Sequence, residues 1–193
     1  SLHDALPIFS YYDTNIGTHN VVYTDIENTD NYDHIYQSDL CGWVGQLGYN
    51  KDSIYGANVF TAEGNETLKA ASFYATGKDS QYELYVVRQF EDETSLEKMI
   101  PVASGKLGNA GYYTVDFNQG IEVDAGERYA VVLYIITPGS VHPMAIEYAA
   151  DEATENVDLD DGESYISANG SKWVSVDTVE KSNLCIKAFS DNR

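Results

Sequence analysis

The chain has 193 residues, of which 43% are hydrophobic, and this length fits one globular domain that buries a core without disulfide cross-links. It carries 31 acidic and 11 basic residues, which gives a formal net charge of −20. Nucleic acids and anionic membrane surfaces are therefore excluded as partners, because both bind clusters of lysine and arginine. The longest apolar run, residues 129–136, is too short for membrane insertion, which takes about 20 residues.

The composition also indicates the cellular location of the protein. Sixteen tyrosines, few lysines and many acidic residues are typical of a secreted or surface-attached module. The alternative is a cytosolic domain with an acidic surface. We expect an extracellular or cell-surface location and a monomer. Two cysteines are too few for a disulfide framework.

The first eighteen residues differ from the rest of the chain. Residues 1–8 have neither the basic region nor the long apolar region of a signal peptide. They resemble a translated sequencing-adapter scar, of the kind found at the ends of metagenomic reading frames, and we leave them out of the fold. Residues 9–18 begin with an aromatic run at 9–13 that predicts a short strand. The main domain is expected over residues 19–190.

Short β-rich runs separated by glycine and asparagine turn signals follow from residue 19. The runs lie at residues 19–26, 55–63, 66–76, 81–90, 101–107, 111–118, 127–137, 143–149, 163–168 and 183–189. This spacing predicts an all-β protein, a two-sheet antiparallel β-sandwich of jelly-roll type that resembles carbohydrate-binding modules.

Two of these runs indicate which faces are buried. Tyr113, Val115 and Phe117 share one face of the run 111–118, and we assign that face to the core. The run 127–137 is apolar on both faces, which predicts a central strand that is covered on both sides.

The motifs of common enzyme classes are absent from the sequence, among them GxSxG, the Walker A loop and HExxH. The histidines are dispersed and lack zinc-ligand spacing. Cys185 lies in an apolar run, which favours an inert buried thiol over a nucleophile. Whether it pairs with Cys41 stays open, because the sequence does not give the distance between them. We expect no catalytic residue and no enzyme activity in this chain.

Large aromatic rings near turn signals are candidates for sugar recognition. Flat rings stack on the C–H faces of sugars while neighbouring polar groups bind hydroxyls. The candidates are Trp43, Tyr49, Tyr55 and Trp173. The alternative for the two tryptophans is that they close the ends of the sandwich.

Calcium is the predicted cofactor, because the chain is rich in carboxylate oxygens and poor in soft ligands. No lysine or arginine lies between Arg128 and Lys172. The candidate ligands are Asp151, Glu155, Asp158, Asp160 and Asp161 in this segment, and Asp39 earlier in the chain. The alternative is that these carboxylates only solvate a long loop.

Several segments, taken in order, resemble a known family. They are YQSDLCGW at 36–43, YGANVFTA at 55–62, LKAASFY at 68–74, YELYV at 82–86, AGYYTVD at 110–116, GESYIS at 162–167 and NLCIKAF at 183–189. They resemble the lectin-like domain that follows the catalytic domain in surface papain-like cysteine peptidases of clostridia and related gut bacteria. The resemblance covers about residues 20–190.

This resemblance implies a jelly-roll-like sandwich that can hold calcium, in one polypeptide with an upstream peptidase domain. Residues 9–18 would then be the remnant of the last peptidase strand and a linker, with the catalytic residues upstream. The first interpretation is a non-catalytic accessory domain that binds wall polysaccharide or host glycoprotein glycan, or positions the protease. The second is a calcium-stabilised spacer without a ligand. The third is a glycosidase or esterase on a β-sandwich.

Overall fold

The computed structural model describes residues 22–24, 28, 30–160, 162–176 and 181–193. The chain divides into two units, residues 1–31 and 32–193. In the first unit the described residues are exposed and form no strand. The predicted scar at 1–8 and the predicted peptidase remnant at 9–18 lie outside the described residues. All elements named below belong to the second unit.

The described residues form short antiparallel strands and one 3₁₀ helix, η1 (Glu93–Glu97). The strands are β1 (His34–Tyr36), β2 (Gly45–Leu47), β3 (Ser53–Thr61), β4 (Glu66–Ala75), β5 (Ser80–Val87), β6 (Ile100–Leu107), β7 (Gly111–Val123), β8 (Arg128–Ile136), β9 (Met144–Glu147), β10 (Glu163–Ser167), β11 (Val174–Ser175), β12 (Asn183–Leu184) and β13 (Ile186–Asn192). Within the described ranges, no helix has the length and apolar character needed to cross a bilayer.

Two large sheets pack face to face, and a small third sheet adds to the core. The six-stranded sheet has the order β11-β10-β3-β8-β5-β6, and the four-stranded sheet has the order β1-β13-β4-β7. The small sheet, β12-β9-β2, contributes Met144, Ile146 and Leu184 to the same apolar core. The predicted antiparallel β-sandwich is confirmed.

The faces of the longer strands follow the two-residue period. On β7, Tyr113, Val115 and Phe117 are less exposed than the residues between them, as predicted. On β8 both faces are buried, because Tyr129 and Leu133 enter the main core while Ala130 and Val132 enter a second cluster on the other side of the sheet.

Some of the predicted strand boundaries differ from the structure. The predicted strand 183–189 is interrupted at Cys185, so that β12 belongs to the small sheet and β13 to the four-stranded sheet. Strands β1, β2 and β11 were not predicted, because two or three residues are too few to show a period. Residues 22–24, the described part of the predicted strand 19–26, are not in a strand.

Asn58 is a buried polar residue that joins the sheets through the core. Its side-chain amide donates hydrogen bonds to the carbonyl oxygens of Leu184 (2.9 Å) and Ile186 (2.8 Å). Its Oδ1 accepts a hydrogen bond from the Ser164 hydroxyl at 2.8 Å. One side chain on β3 therefore satisfies both carbonyls next to Cys185, where the chain passes between two sheets.

Glu66 is a second buried polar residue, and it sits among several donors. Its side chain is fully buried, and it accepts hydrogen bonds from the Tyr36 hydroxyl (2.7 Å), the Ser190 hydroxyl (2.5 Å) and the Gly64 amide (2.8 Å). Burial alone would raise the pKa of Glu66, but these donors together hold it below its ordinary value. The buried carboxylate of Glu66 on β4 thus accepts hydrogen bonds from side chains of both β1 and β13.

His34 lies at the edge of this carboxylate cluster. Its Nε2 lies 2.9 Å from Asn192 Oδ1 and 4.0 Å from Glu66, and its Nδ1 lies 3.5 Å from Glu63. The hydrogen bond with Asn192 and the charges of Glu66, Glu63 and Asp33 raise the pKa of His34 above 6.5. The folded state therefore favours the protonated ring.

We predict that replacing Asn58 with leucine lowers the free energy of unfolding by about 2–4 kcal/mol, because two carbonyls and one hydroxyl lose their partners inside the core. Urea unfolding followed by fluorescence measures this loss. The control is Ser164→Ala, which removes one hydrogen bond and should cost about 1 kcal/mol. A loss for Asn58→Leu no larger than that of the control would contradict the role of Asn58.

We also predict a pH-dependent contribution from His34. Since its pKa is raised in the folded state, its stabilisation is complete below 6.5, the ordinary imidazole value, and is lost as the pH rises through the folded pKa. The free energy of unfolding of the protein and of its His34→Gln variant should therefore differ most at low pH and converge at higher pH. A difference that is independent of pH would show that the ring acts only through packing.

Candidate functional site

The outer face of the six-stranded sheet carries a row of polar and aromatic residues at one level. Tyr55 on β3 pairs with Ser167 on β10 and with Tyr134 on β8. Tyr134 pairs in turn with Glu83 on β5, and Glu83 pairs with Ser104 on β6. We call these five residues the tyrosine row. They cross five adjacent strands.

The alternation of side chains turns the tyrosine row away from the core. The preceding or following residues Ile54, Leu84 and Leu133 are fully or almost fully buried in the main core. Successive residues of a strand point to opposite faces, so the row faces outward. The rings of Tyr55 and Tyr134 stack on each other, with centroids 4.2 Å apart and planes at 22°. This stack fixes one face of Tyr134.

A surface pocket of about 390 Å³ lies beside Tyr134. It is lined by Gln81, Tyr82, Glu83, Ser104, Gly105, Lys106, Tyr134 and Ile136. Its volume is within the usual range of small-ligand sites. The lining combines an aromatic ring with a carboxylate, an amide and a hydroxyl, which are groups that bind sugar rings and their hydroxyls.

The lysine and the carboxylate of the pocket lining differ in their ion pairs. Lys106 Nζ lies 3.3 Å from Asp79, and both side chains are exposed. Glu83 accepts a hydrogen bond from the Tyr85 hydroxyl, and burial together with this bond raises the pKa of Tyr85. Across the part of the chain that the structure describes, no basic side chain forms an ion pair with Glu83. The pocket therefore holds one carboxylate without a cationic partner.

The other half of this sheet face is covered. Phe90 and Leu96, from the segment around η1, pack onto Ala57 and Val132 in the second apolar cluster. Trp173 packs on the same cluster, with its ring edge-on to Tyr55 at 6.2 Å. No described residue accepts a hydrogen bond from its buried Nε1. These contacts favour a packing role for Trp173, one of the predicted sugar-binding residues.

The turn before Trp173 is set by Gly170. Its φ is +76°, a left-handed conformation that glycine adopts without strain. A β-carbon at this position would lie 3.2 Å from the Tyr55 ring. Gly170 thus lets the loop approach Tyr55 and brings Trp173 beside it.

The structure separates the four predicted aromatic residues. Tyr55 and Trp173 lie together, whereas Trp43 contacts Tyr74 on the outer face of the four-stranded sheet, with ring centroids 5.7 Å apart. Trp43 is 36% exposed and Tyr49, in the loop between β2 and β3, is 37% exposed. Sugar binding at any of these residues stays a prediction.

The predicted acidic ligands are used in local turns or are isolated at the surface. The Asp151 carboxylate accepts hydrogen bonds from the amides of Ala153 and Thr154, and Asp158 accepts one from the Asp160 amide. Glu155 contacts Asn156, its neighbour, at 3.5 Å. Asp161 lies outside the described residues. Among the described residues, no three histidine, cysteine, aspartate or glutamate side chains are grouped as metal ligands.

Asp39, the sixth predicted ligand, forms a buried ion pair. Its Oδ1 accepts a hydrogen bond from Lys187 Nζ at 2.9 Å, and its side chain is fully buried. Burial raises the pKa of Asp39, while the hydrogen bond and charge of Lys187 oppose this rise. Asp39 therefore anchors the loop between β1 and β2 to β13.

Three oxygen atoms converge on the side-chain amide of Asn183. Its Nδ2 lies 2.9 Å from the Ser38 carbonyl, 2.9 Å from Glu147 Oε2 and 2.8 Å from the Asp158 carbonyl. Glu147 is fully buried, and its Oε1 accepts a hydrogen bond from the Cys41 amide. An NH₂ group has two hydrogens, so the three oxygens exceed what it can satisfy. We call these three oxygens the oxygen cluster.

Both cysteines are free in the structure. Cys41 is exposed and Cys185 is buried. Desolvation and nearby carboxylates raise the pKa of both thiols, with the larger rise at the buried Cys185. A catalytic cysteine requires the opposite shift, because its thiolate is the nucleophile.

Sequence reasoning missed several residues of these two sites. Glu83 alternates with buried residues of β5, so a two-residue period was available to place it on an outer face. Strand β8 is apolar on both faces, so its sequence carries no such signal for Tyr134. Ser38 and Asn183 are 145 positions apart, and no spacing pattern connects them.

Two solved structures share this fold. One, the clostridial cysteine protease Cwp84 after propeptide cleavage, is 24% identical with a TM-score of 0.69, and the match covers 83% of this chain and 40% of that chain. The other contains the cysteine protease and lectin-like domains of Cwp84, a surface layer associated protein of Clostridium difficile. It is 21% identical with a TM-score of 0.64, and the match covers 83% of this chain and 36% of that chain. This chain thus spans about two fifths of their length.

No curated protein matches the chain. A family model described as a lectin like domain matches residues 35–190. This range begins within β1 and ends within β13, so it contains both large sheets, the tyrosine row and the oxygen cluster. The match confirms the resemblance found in the sequence, and the chain belongs to the lectin-like domain family.

Proposed function

We propose that this domain binds glycan on the outer face of its six-stranded sheet, at the tyrosine row and the pocket beside it. The observation that carries the proposal is the alignment of Tyr55, Tyr134 and Glu83 across three paired strands. Such an alignment presents aromatic and polar groups on a rigid surface, which lowers the entropic cost of binding.

The chemistry of the pocket supports a sugar ligand. Tyr134 is half-buried and its ring lines the pocket, where the apolar face of a sugar ring can stack on it. Gln81, Glu83 and Ser104 are exposed polar residues in the same lining and can bind hydroxyl groups. Tyr55 supports Tyr134 from the side through their stacked rings.

The proposed biological context is a non-catalytic accessory domain of a bacterial surface cysteine peptidase. The solved Cwp84 structure that contains both a cysteine protease domain and a lectin-like domain supports this arrangement. The raised pKa values of both thiols in this chain favour a non-catalytic role. In this context the domain holds the protease at a glycan of the cell wall or of a host glycoprotein. The coding sequence upstream of residue 9 tests this proposed context, because a papain-like peptidase domain there must contain a Cys-His-Asn set.

We predict that the domain binds at least one oligosaccharide on an array of wall and host glycans, and that Tyr134→Ala weakens this binding by about 1–3 kcal/mol because it removes the stacking surface. Calorimetric titration of the bound oligosaccharide measures the loss. Tyr55→Ala should weaken binding less, because Tyr55 acts through Tyr134.

The matched control is Tyr148→Ala, which removes a tyrosine that is 37% exposed and lies outside the pocket. It should leave the affinity unchanged. Trp43→Ala tests the separate aromatic surface around Trp43 and Tyr74. Binding that survives Tyr134→Ala but is lost in Trp43→Ala would move the site to the four-stranded sheet. An array without any bound glycan would leave the spacer role as the better interpretation.

We also propose that the domain holds a structural calcium ion, which would supply a compact positive charge among its carboxylates. The oxygen cluster supports this placement better than the acidic segment at 151–160. Its ligands would be a buried carboxylate, two backbone carbonyls and the side-chain oxygen of Asn183, all of them hard oxygen ligands. In this proposal the Asn183 amide is rotated so that Oδ1, and not the NH₂ group, faces the ion. Of the predicted ligands, Asp158 takes part through its backbone carbonyl.

We predict that excess chelator lowers the melting temperature of the domain and that added calcium restores it, because an ion bound only by the folded state stabilises that state. Glu147→Gln should abolish the calcium-dependent shift, which differential scanning calorimetry measures. Asp151→Asn is the matched control in the acidic segment and should retain the shift. A melting temperature that responds to neither chelator nor calcium would refute the calcium proposal.

A further inference from the structure

The carboxylate of Glu83 indicates which sugars the pocket would prefer. Resting on the proposed glycan site, we infer that this site selects sugars that carry a protonated amine, with Glu83 as the group that determines this specificity. Glu83 is exposed, lines the pocket and pairs across the strands with Tyr134. An amine on a sugar ring stacked on Tyr134 would face this carboxylate.

The hydrogen bonds of Glu83 leave it able to bind a cation. Its Oε2 accepts a hydrogen bond from the Tyr85 hydroxyl, which orients the carboxylate without neutralising it. Within the described part of the chain, Oε1 accepts no hydrogen bond, and no basic side chain pairs with either oxygen. Because Tyr85 fixes one oxygen, the other is held in place for a ligand.

The surroundings of Glu83 also favour positive charge. Lys106, the basic residue of the pocket lining, forms an exposed ion pair with Asp79 at 3.3 Å, which offsets part of its charge. The ring of Tyr134 adds a negative π face that attracts cations. The net charge of −20 disfavours sugars with carboxylate or phosphate groups and raises the local concentration of cationic ones. Local and long-range electrostatics therefore favour the same ligand class.

Glucosamine and N-acetylglucosamine oligomers of equal length provide the test, because they differ in the acetyl group that removes the charge. At mildly acidic pH, where glucosamine amines are protonated, we expect the glucosamine oligomer to bind about three- to fivefold more tightly, the effect of one charge pair at an exposed site. Calorimetric titration of both oligomers measures this ratio. Glu83→Gln should abolish the preference, since glutamine keeps the hydrogen bond to Tyr85 but not the charge.

The control variant is Glu152→Gln, which removes one exposed carboxylate outside the pocket lining and makes the net charge less negative by the same amount as Glu83→Gln. It should keep the preference, which separates the local effect of Glu83 from the overall charge. Equal binding of the two oligomers, or a preference that survives Glu83→Gln, would overturn this inference and leave the glycan site standing. If neither these oligomers nor any array glycan binds, the proposed function fails and the inference fails with it.

Discussion

The side-chain amide of Asn58 joins the six-stranded sheet to the strands across the core, and much of the structure is arranged around it. It binds the carbonyls of Leu184 and Ile186, the residues on each side of the point where the chain changes sheets. Because a buried amide and buried carbonyls must pair, these bonds fix β3 relative to β12 and β13. Asn183 precedes Leu184, so the same junction positions the oxygen cluster. On its opposite face, β3 carries Tyr55 and the start of the tyrosine row.

The excess of negative charge is a second constraint, and the fold stabilises its carboxylates through three kinds of interaction. Buried carboxylates such as Glu66 and Glu147 accept hydrogen bonds from several parts of the chain. Others, such as Asp151, accept amide hydrogen bonds within turns. Several basic residues are engaged in ion pairs with carboxylates of the domain, as Lys187 is with Asp39. Since cations are scarce, exposed carboxylates such as Glu83 have no ion pair with a basic side chain within the described part of the chain.

The long strands could be predicted from sequence because their side chains alternate over many residues. Strands β4, β6, β8 and β10 begin and end within one residue of the predicted runs. Strand β7 was predicted too short, because its pattern of exposed and half-buried residues weakens after Phe117 although pairing with β4 continues to Val123. Strands β1 and β2 exist because they pair with β13 and β9. Three residues are too few for the alternation of buried and exposed side chains to be recognised in a sequence.

The sequence by itself determined the all-β class and the excess of acidic over basic residues. It also determined the buried face of β7 and the burial of β8 on both sides. Each of these properties depends on composition or on spacing within one segment. Tertiary structure alone decided that Tyr55, Tyr134 and Glu83 form one row and that Trp43 contacts Tyr74 of the other large sheet. It also decided that Ser38, Glu147 and Asp158 meet at Asn183. The physical reason is that strand order and register are set by packing and hydrogen bonding between distant segments. The spacing within one segment does not specify which other segment lies beside it.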